Sequence, residues 1–280
     1  MRRHSSCPPF PPEPEREEEP VDNSANSFPV HVVLGATGGI GSALCRRLSD
    51  SGAQLVVGAR TENSLKKLAG ETGAHPVPLD ATRTEEVDRL FTEAVEEFGR
   101  VDGAANCVGS FMLKPAHLTS DEDLAQTISL NLNTAFGTVK AAAKHMPDGG
   151  SVVLLSSVAA RVGLANHEAI AAAKGAVTGL GLSAAASYAG RGLRFNIVAP
   201  GLVQTPMTEK VTGSETARQA SIDLHPLGRL GEPEDVSGMI SWLLDPGQSW
   251  VTGQTFGVDG GLSTLHPLPR RPPRPTKSNT

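Results

Sequence analysis

The chain has too little cysteine for a disulfide scaffold and too little positive charge for a nucleic-acid surface. Its 3 cysteines, Cys7, Cys45 and Cys107, are odd in number and scattered. That excludes a disulfide framework, offers no metal-ligand spacing and points to a reducing compartment. Lysine and arginine number 25 against 30 acidic residues, a formal charge of −5, so nothing here attracts nucleic acid or anionic lipid. No apolar run approaches the length that spans a bilayer. Arg2 and Arg3 are followed by prolines and glutamates where a secretory signal needs an apolar segment. These absences leave the expectation of a cytoplasmic protein with no metal, no nucleic-acid partner and no membrane. Aromatic residues make up 4% of the chain, and there is 1 tyrosine, Tyr188.

What is abundant is glycine, 30 residues, beside an ordinary 39% of hydrophobic residues, a composition of tight turns around a substantial core. Residues 1–28 are rich in proline and glutamate (Pro8-Pro9, Pro11-Pro12, Glu17-Glu18-Glu19). Such a segment buries too little apolar surface to offset its ordering entropy and is expected to be disordered. Residues 264–280 read as a second disordered tail, rich in proline and basic through Arg270, Arg271 and Arg274. Between them, over 29–263, short β-branched runs alternate with helical stretches. Strands are expected at 30–34, 54–57, 76–79, 103–107, 151–155, 194–198 and 255–258. Helices are expected at 40–51, 63–68, 85–98, 121–145, 168–188 and 233–244. This alternation implies βαβ units: an α/β fold with a single doubly wound parallel sheet of about seven strands, an extended Rossmann type. Neither an internal repeat nor an interior linker argues for a second domain.

Val32-Val33-Leu34 runs into Gly35-Ala36-Thr37-Gly38-Gly39-Ile40-Gly41, after which a helical pattern begins. Glycines at a strand-to-helix turn let the backbone approach a pyrophosphate, which the free amides of the helix start then bind. The spacing is G-x-x-x-G-x-G, not the G-x-G-x-x-G of other dinucleotide folds, and alone it is a weak signal. The second strand ends Val57-Gly58-Ala59-Arg60. Ala59 stands where NAD-binding folds place a carboxylate for the ribose 2′-hydroxyl, and Arg60 can pair with a 2′-phosphate. NADP(H) is therefore favoured over NAD(H), with an ordinary exposed arginine as the alternative.

With these landmarks in order, residues 30–262 resemble the short-chain dehydrogenase/reductase family. The turn of Gly35, Thr37, Gly38, Gly39, Ile40 and Gly41 is similar to its glycine motif, although Leu34 replaces the usual threonine. Leu79-Asp80-Ala81-Thr82 resembles the segment whose aspartate meets the adenine, which implies that role for Asp80. Asn106-Cys107-Val108-Gly109 resembles the family's Asn-Asn-Ala-Gly strand end and keeps only Asn106 and Gly109 of it. The resemblance further implies that Asn131 helps hold a water of the proton relay and that Ser157 binds the substrate oxygen. Pro200 and Gly201 would shape the nicotinamide pocket, and Thr205 would meet the carboxamide. Pro226-Leu227-Gly228-Arg229, Pro233-Glu234-Asp235 and Val258-Asp259-Gly260-Gly261 resemble its C-terminal landmarks. Family members pair through their long helices, so the alanine-rich stretches Ala141–Ala143 and Ala184–Ala186 imply a homodimer or homotetramer, although packing against the sheet also uses alanine.

The family's chemistry rests on Tyr-x-x-x-Lys, whose spacing puts both side chains on one helix face. Lys174 is present; the tyrosine position is Ile170. Isoleucine neither donates nor accepts a proton, and a positioned general acid is worth roughly 10²- to 10⁴-fold. Three readings stay open. Another group moves the proton, with His167, just before the helix, or Lys174 itself as candidates; or the protein binds NADP(H) without turnover, as a sensor or partner subunit; or the hydride transfer needs no strong acid at that position. The expected function is an NAD(P)(H)-dependent oxidoreductase acting on a carbonyl or hydroxyl group of a small molecule, with Ser157, Lys174, Asn131 and His167 as its catalytic set. The alternative is a silent dinucleotide binder. Pro206–Leu224 corresponds to the family's variable substrate lid, so the substrate itself is not legible.

Overall fold

A computed structural model of the chain describes residues 28–266. Seven parallel strands form one sheet: β1 (Val30–Leu34), β2 (Gln54–Ala59), β3 (His75–Pro78), β4 (Gly103–Asn106), β5 (Gly150–Leu155), β6 (Leu193–Pro200) and β7 (Thr255–Val258), in the order β3-β2-β1-β4-β5-β6-β7. Successive side chains of a strand point to opposite faces. In β1, Val32 and Leu34 enter one core layer and Val33 the other; in β5, Val152 and Leu154 enter the first and Val153 the second. Burial on both faces explains why these strands read as continuous apolar runs rather than alternating ones.

Helices cover the two faces. On one lie α3 (Thr84–Phe98), α5 (Thr134–His145) and α6 (Glu168–Tyr188), with Val87, Leu90, Phe91, Val139 and Val177 pointing inward. On the other lie α1 (Gly39–Asp50), α2 (Glu62–Thr72) and α9 (Pro233–Leu244), contributing Leu44, Leu48, Leu65, Leu68, Val236 and Ile240. Because β1 is flanked by β2 and β4, chain connections leave it in opposite directions. A crevice opens there, where Leu34 is level with Gly58 on one side and Asn106 on the other; ligands of open α/β sheets bind at such a switch point.

The structure corrects the sequence reading in several places. The single helix expected over 121–145 is three segments: α4 (Asp121–Ile128), a π-helical turn (Ser129–Asn133) and α5. Helix runs on without a break on both sides of such a turn, so an apolar pattern does not reveal it. The 206–224 segment carries helices α7 (Glu209–Thr212) and α8 (Glu215–Leu224). Residues 168–191 do form one helix long and apolar enough, by length and composition, to cross a membrane; Ala169, Ile170, Ala173, Val177, Ala184 and Ala185 are buried within the fold, and Val177, Ala184 and Ala185 join the core against the sheet. Of the alanine stretches, Ala141, Ala142, Ala184 and Ala185 are likewise buried in the chain's own core. The outer face of α6 instead exposes Ala172, Gly175, Gly179, Leu182 and Ala186. The expected tails fall outside the described residues, apart from Phe28, whose ring lies against Gly52, and residues 264–266, of which Leu265 packs on Gly261.

Candidate active site

At the carboxyl end of β1 the chain reverses on Gly35, which has φ +70° and donates its amide to the Gly58 carbonyl at 2.9 Å. A Cβ at Gly35 would lie 2.8 Å from the Cys107 carbonyl carbon, and one at Gly41 only 2.3 Å from the Gly35 oxygen. The turn is therefore closed around backbone, and only glycine fits at these two points. Gly38 precedes α1 with no side-chain cap, so the leading amides of the helix stay available to an anion. A Cβ at Gly39 would strike the Thr205 methyl at 2.7 Å, which shows how closely the turn faces the segment after β6. This cradle, together with the free helix start, fits a dinucleotide pyrophosphate.

Beside the turn, Arg60 leaves the end of β2 exposed and in no ion pair among the described residues. Asp80 lies nearby. Its carboxylate accepts from the Thr82 amide at 3.0 Å and the Thr82 hydroxyl at 2.8 Å. Those bonds, with lesser help from Arg60 and Arg83, hold its carboxyl below the usual range. The groove here thus presents one free guanidinium and one charged carboxylate.

The far side of the crevice gathers the remaining residues. Asn106 is buried at the end of β4; its Oδ1 accepts from the Val108 amide (2.9 Å) and its Nδ2 donates to the Thr138 hydroxyl (3.0 Å). Asn131 sits in the π turn, 1% exposed, and faces Gly109. A Cβ at Gly109 would lie 3.0 Å from Asn131 Oδ1 and 3.3 Å from Lys174 Nζ. These two side chains, from α6 and the π turn, therefore both converge on Gly109. Lys174 Nζ donates to the Leu155 carbonyl at 2.8 Å. Burial lowers its pKa to about 8 and pushes the neighbouring Cys107 thiol up to about 12, since both charged forms lose hydration. Ser156 anchors the helix by donating to the Lys174 carbonyl at 2.9 Å. Ser157 begins a short 3₁₀ turn, its Oγ accepting from the Ala159 amide at 3.2 Å, which leaves the hydroxyl hydrogen free for another acceptor.

Ile170 lies one helical turn before Lys174 on the same face of α6 and is 4% exposed. His167 stands at the mouth. Its Nδ1 contacts the Ala165 carbonyl at 2.7 Å and its ring meets Phe111 edge-on, centroids 6.2 Å apart. The preceding Asn166 has φ 63° and its carbonyl accepts from the Lys114 amide, so the loops at 110–115 and 161–167 are joined across the opening. Pro200 is buried at the end of β6, and Gly201 follows, where a Cβ would lie 2.7 Å from His225 Nε2. Thr205 is steadied by Thr208, whose hydroxyl meets its amide and its Oγ1 at 3.1 and 3.2 Å.

Several residues that hold this site carry no signal in the sequence. Thr138 and Ser110 are small hydroxyls among many. His225, 3% exposed, donates from Nδ1 to the Ser221 carbonyl (2.7 Å) and accepts the Leu202 amide at Nε2 (3.2 Å), clamping α8 to the β6 exit. Only its place before Pro226 in a landmark segment could have drawn notice. Among the described residues no cluster of three or more His, Cys, Asp or Glu is arranged to hold a metal ion.

Residues 35–263 match the family model described as enoyl-(acyl carrier protein) reductase. The chain is 34% identical over 242 residues to the 3-oxoacyl-(acyl-carrier-protein) reductase of Thermotoga maritima, covering 83% of this chain and 97% of that one. It is 35% identical over 247 residues to 3beta-hydroxysteroid dehydrogenase 1 of Eggerthella lenta, covering 84% and 94%. A solved structure of a short-chain type dehydrogenase/reductase from Mycobacterium ulcerans superposes with a TM-score of 0.81 at 31% identity, covering 85% of this chain and 91% of that one.

Proposed function

This chain belongs to the short-chain dehydrogenase/reductase family, and from that premise we propose that it is an NADP(H)-dependent oxidoreductase acting on a carbonyl or hydroxyl group of a small molecule, with a proton-donor site altered by Ile170. The observation that carries this reading is the convergence of Lys174 Nζ and the Asn131 carboxamide on Gly109, just beyond the Cys107–Val108 backbone against which the glycine turn packs. Gly35, Thr37, Gly38, Gly39, Ile40 and Gly41 would hold the pyrophosphate, Arg60 the 2′-phosphate and Asp80 the adenine end. Asn106, Gly109, Pro200, Gly201, Thr205 and Lys174 would frame the nicotinamide end. When bound, the nicotinamide supplies or accepts the hydride.

The chain's own residues do the rest. The free hydroxyl of Ser157 orients the substrate oxygen, and the Lys174 ammonium, desolvated and close to neutrality in pKa, serves as the proton source that Ile170 cannot be. His167, tied to Ala165 and Phe111, guards the opening. Named relatives act on acyl-carrier-protein-linked and steroid substrates, and the buried isoleucine favours a similarly apolar substrate. The specific observation favouring a second reading, a silent NADP(H)-binding sensor or partner subunit, is the same Ile170.

NADPH oxidation against a panel of ketones and aldehydes separates the two, with the native chain run beside Ile170→Tyr. Turnover by the native chain supports the oxidoreductase; turnover by Ile170→Tyr alone makes the native chain a binder and overturns it. For the native enzyme, reduction is expected to fall as pH rises through about 8, because only the protonated lysine donates. Cofactor choice is tested by binding alone: Arg60→Ala should weaken NADPH by tenfold or more, about 1.4 kcal/mol, and leave NADH nearly unchanged. Equal losses for both cofactors would remove the argument for NADP(H).

A further inference from the structure

The reaction scheme above leaves one hydroxyl at the site without a role. Ser110 follows Gly109, and it grips the side chain of Asn131 twice. Its amide donates to Asn131 Oδ1 at 3.2 Å, and its Oγ accepts from Asn131 Nδ2 at 2.9 Å. The second hydrogen of Nδ2 goes to the Thr127 carbonyl at 2.9 Å. Both amide hydrogens are thus committed, and the carboxamide has one orientation: its NH₂ end faces Ser110 Oγ and Thr127, and its oxygen faces the Ser110 amide. That same oxygen and Lys174 Nζ lie 3.0 and 3.3 Å from the one point where a Cβ on Gly109 would stand. A carbonyl oxygen beside an ammonium favours the charged form; an NH₂ group in its place opposes it.

We infer that Ser110 is a positioning residue for Lys174: by holding the Asn131 carboxamide with its oxygen inward, it keeps a negative dipole end beside the ammonium and so sets how readily the lysine holds its proton. The surroundings leave that dipole little competition. Lys174 itself donates to a backbone carbonyl, that of Leu155. Cys107 is the one titratable neighbour that bears on it; burial keeps its thiol protonated, and no carboxylate among the described residues counters the lysine's charge. Of the neighbouring serines, Ser156 is committed to the Lys174 carbonyl and Thr178, and Ser157 accepts from the Ala159 amide. Removing the Ser110 hydroxyl frees one hydrogen of Nδ2 and leaves the carboxamide on two bonds instead of three, so its oxygen is held less firmly and the dipole at the lysine weakens.

The inference rests on the reading of Lys174 as proton source only for its consequence in turnover, and the test keeps the two apart. The Lys174 side chain is titrated by NMR in the cofactor-free protein carrying labelled lysine, its resonance assigned by its loss in Lys174→Met. Ser110→Ala is expected to lower the Lys174 pKa by an amount on the order of one unit, and Ser110→Thr, which keeps the hydroxyl, to restore it. An unmoved resonance in Ser110→Ala, or a threonine that behaves like alanine, overturns the inference. The pH profile of NADPH oxidation is recorded on the same proteins. A lysine pKa that moves while the profile stays fixed leaves Ser110 as the positioning residue and overturns Lys174 as the proton source.

Discussion

At the scale of single residues, the closest fits are predictive. Gly41 sits with its Cα against the Gly35 oxygen, so Gly41→Ala, placing a Cβ at 2.3 Å, is expected to open the turn. Stability should fall by about 2–4 kcal/mol and dinucleotide affinity should fall with it, measured by urea unfolding and a binding titration. Gly70, inside α2, has open space where an added Cβ would stand, with nothing within 4 Å; Gly70→Ala should instead stabilise by about 0.5–1 kcal/mol. His31 makes a different prediction. It is 3% exposed in β1, its Nδ1 has no partner, and burial lowers its pKa to about 4. The unfolded chain binds a proton at that histidine near pH 6.5 and the folded chain does not. Stability is therefore complete above pH 6.5 and is lost as pH falls toward 4, by about 3 kcal/mol from this residue alone. Urea unfolding between pH 7 and 4 should show the loss in the native chain and a flatter dependence in His31→Leu; parallel slopes would refute it. Much of the site was legible at this scale because glycines, an arginine after a strand and a lysine four positions past a known slot are positional signals. Ser110 and Thr138 were not, because their roles depend on which distant residues fold beside them.

At the scale of elements, types were more legible than ends. β1 and β7 run over the residues their apolar patterns indicate, whereas β6 extends two residues further, through Ala199 and Pro200, which no change of pattern marks. The π turn inside the 121–145 stretch shifts the helix phase just at Asn131. A straight α-helix would carry that side chain round the axis, so the bulge is the device that aims it. The outer stripe of α6 bears on assembly. Ala172, Gly175 and Gly179 expose a face of almost bare backbone, and a Cβ at either glycine meets nothing within 4 Å among the described residues. If a second copy packs there, Gly179→Leu should yield monomers by sedimentation velocity with the helix content intact. A native chain that sediments as a monomer would remove that seam from the proposal.

At the scale of the whole molecule, the alternation of strands and helices implied a parallel sheet, but the strand order was not written in the pattern. It follows from right-handed crossovers that wind away from β1 on both sides, a property of the assembled chain. Charge behaves similarly: the formal −5 is a sum over the chain, while the exposed guanidinium of Arg60, in no ion pair among the described residues, is a matter of place. A ligand that binds only the folded state stabilises it by about 2.7 kcal/mol at a hundredfold excess over its dissociation constant. NADPH should raise the melting temperature of the native chain, and of Arg60→Ala markedly less at the same concentration.

The contact of Gly39 with Thr205 joins two stretches of chain that lie far apart in sequence, and β1 meets β4 only after β2 and β3 have been laid down on its other side. Local pairings close early in a folding reaction and distant ones late, because each long loop must be closed first. The crevice therefore exists only in molecules that have finished. A dinucleotide that grips both sides of it has nothing to hold in the half-formed chain, and its binding acts on the way out of the native state rather than on the way in: NADPH should slow unfolding in proportion to its occupancy and leave the refolding rate where it was.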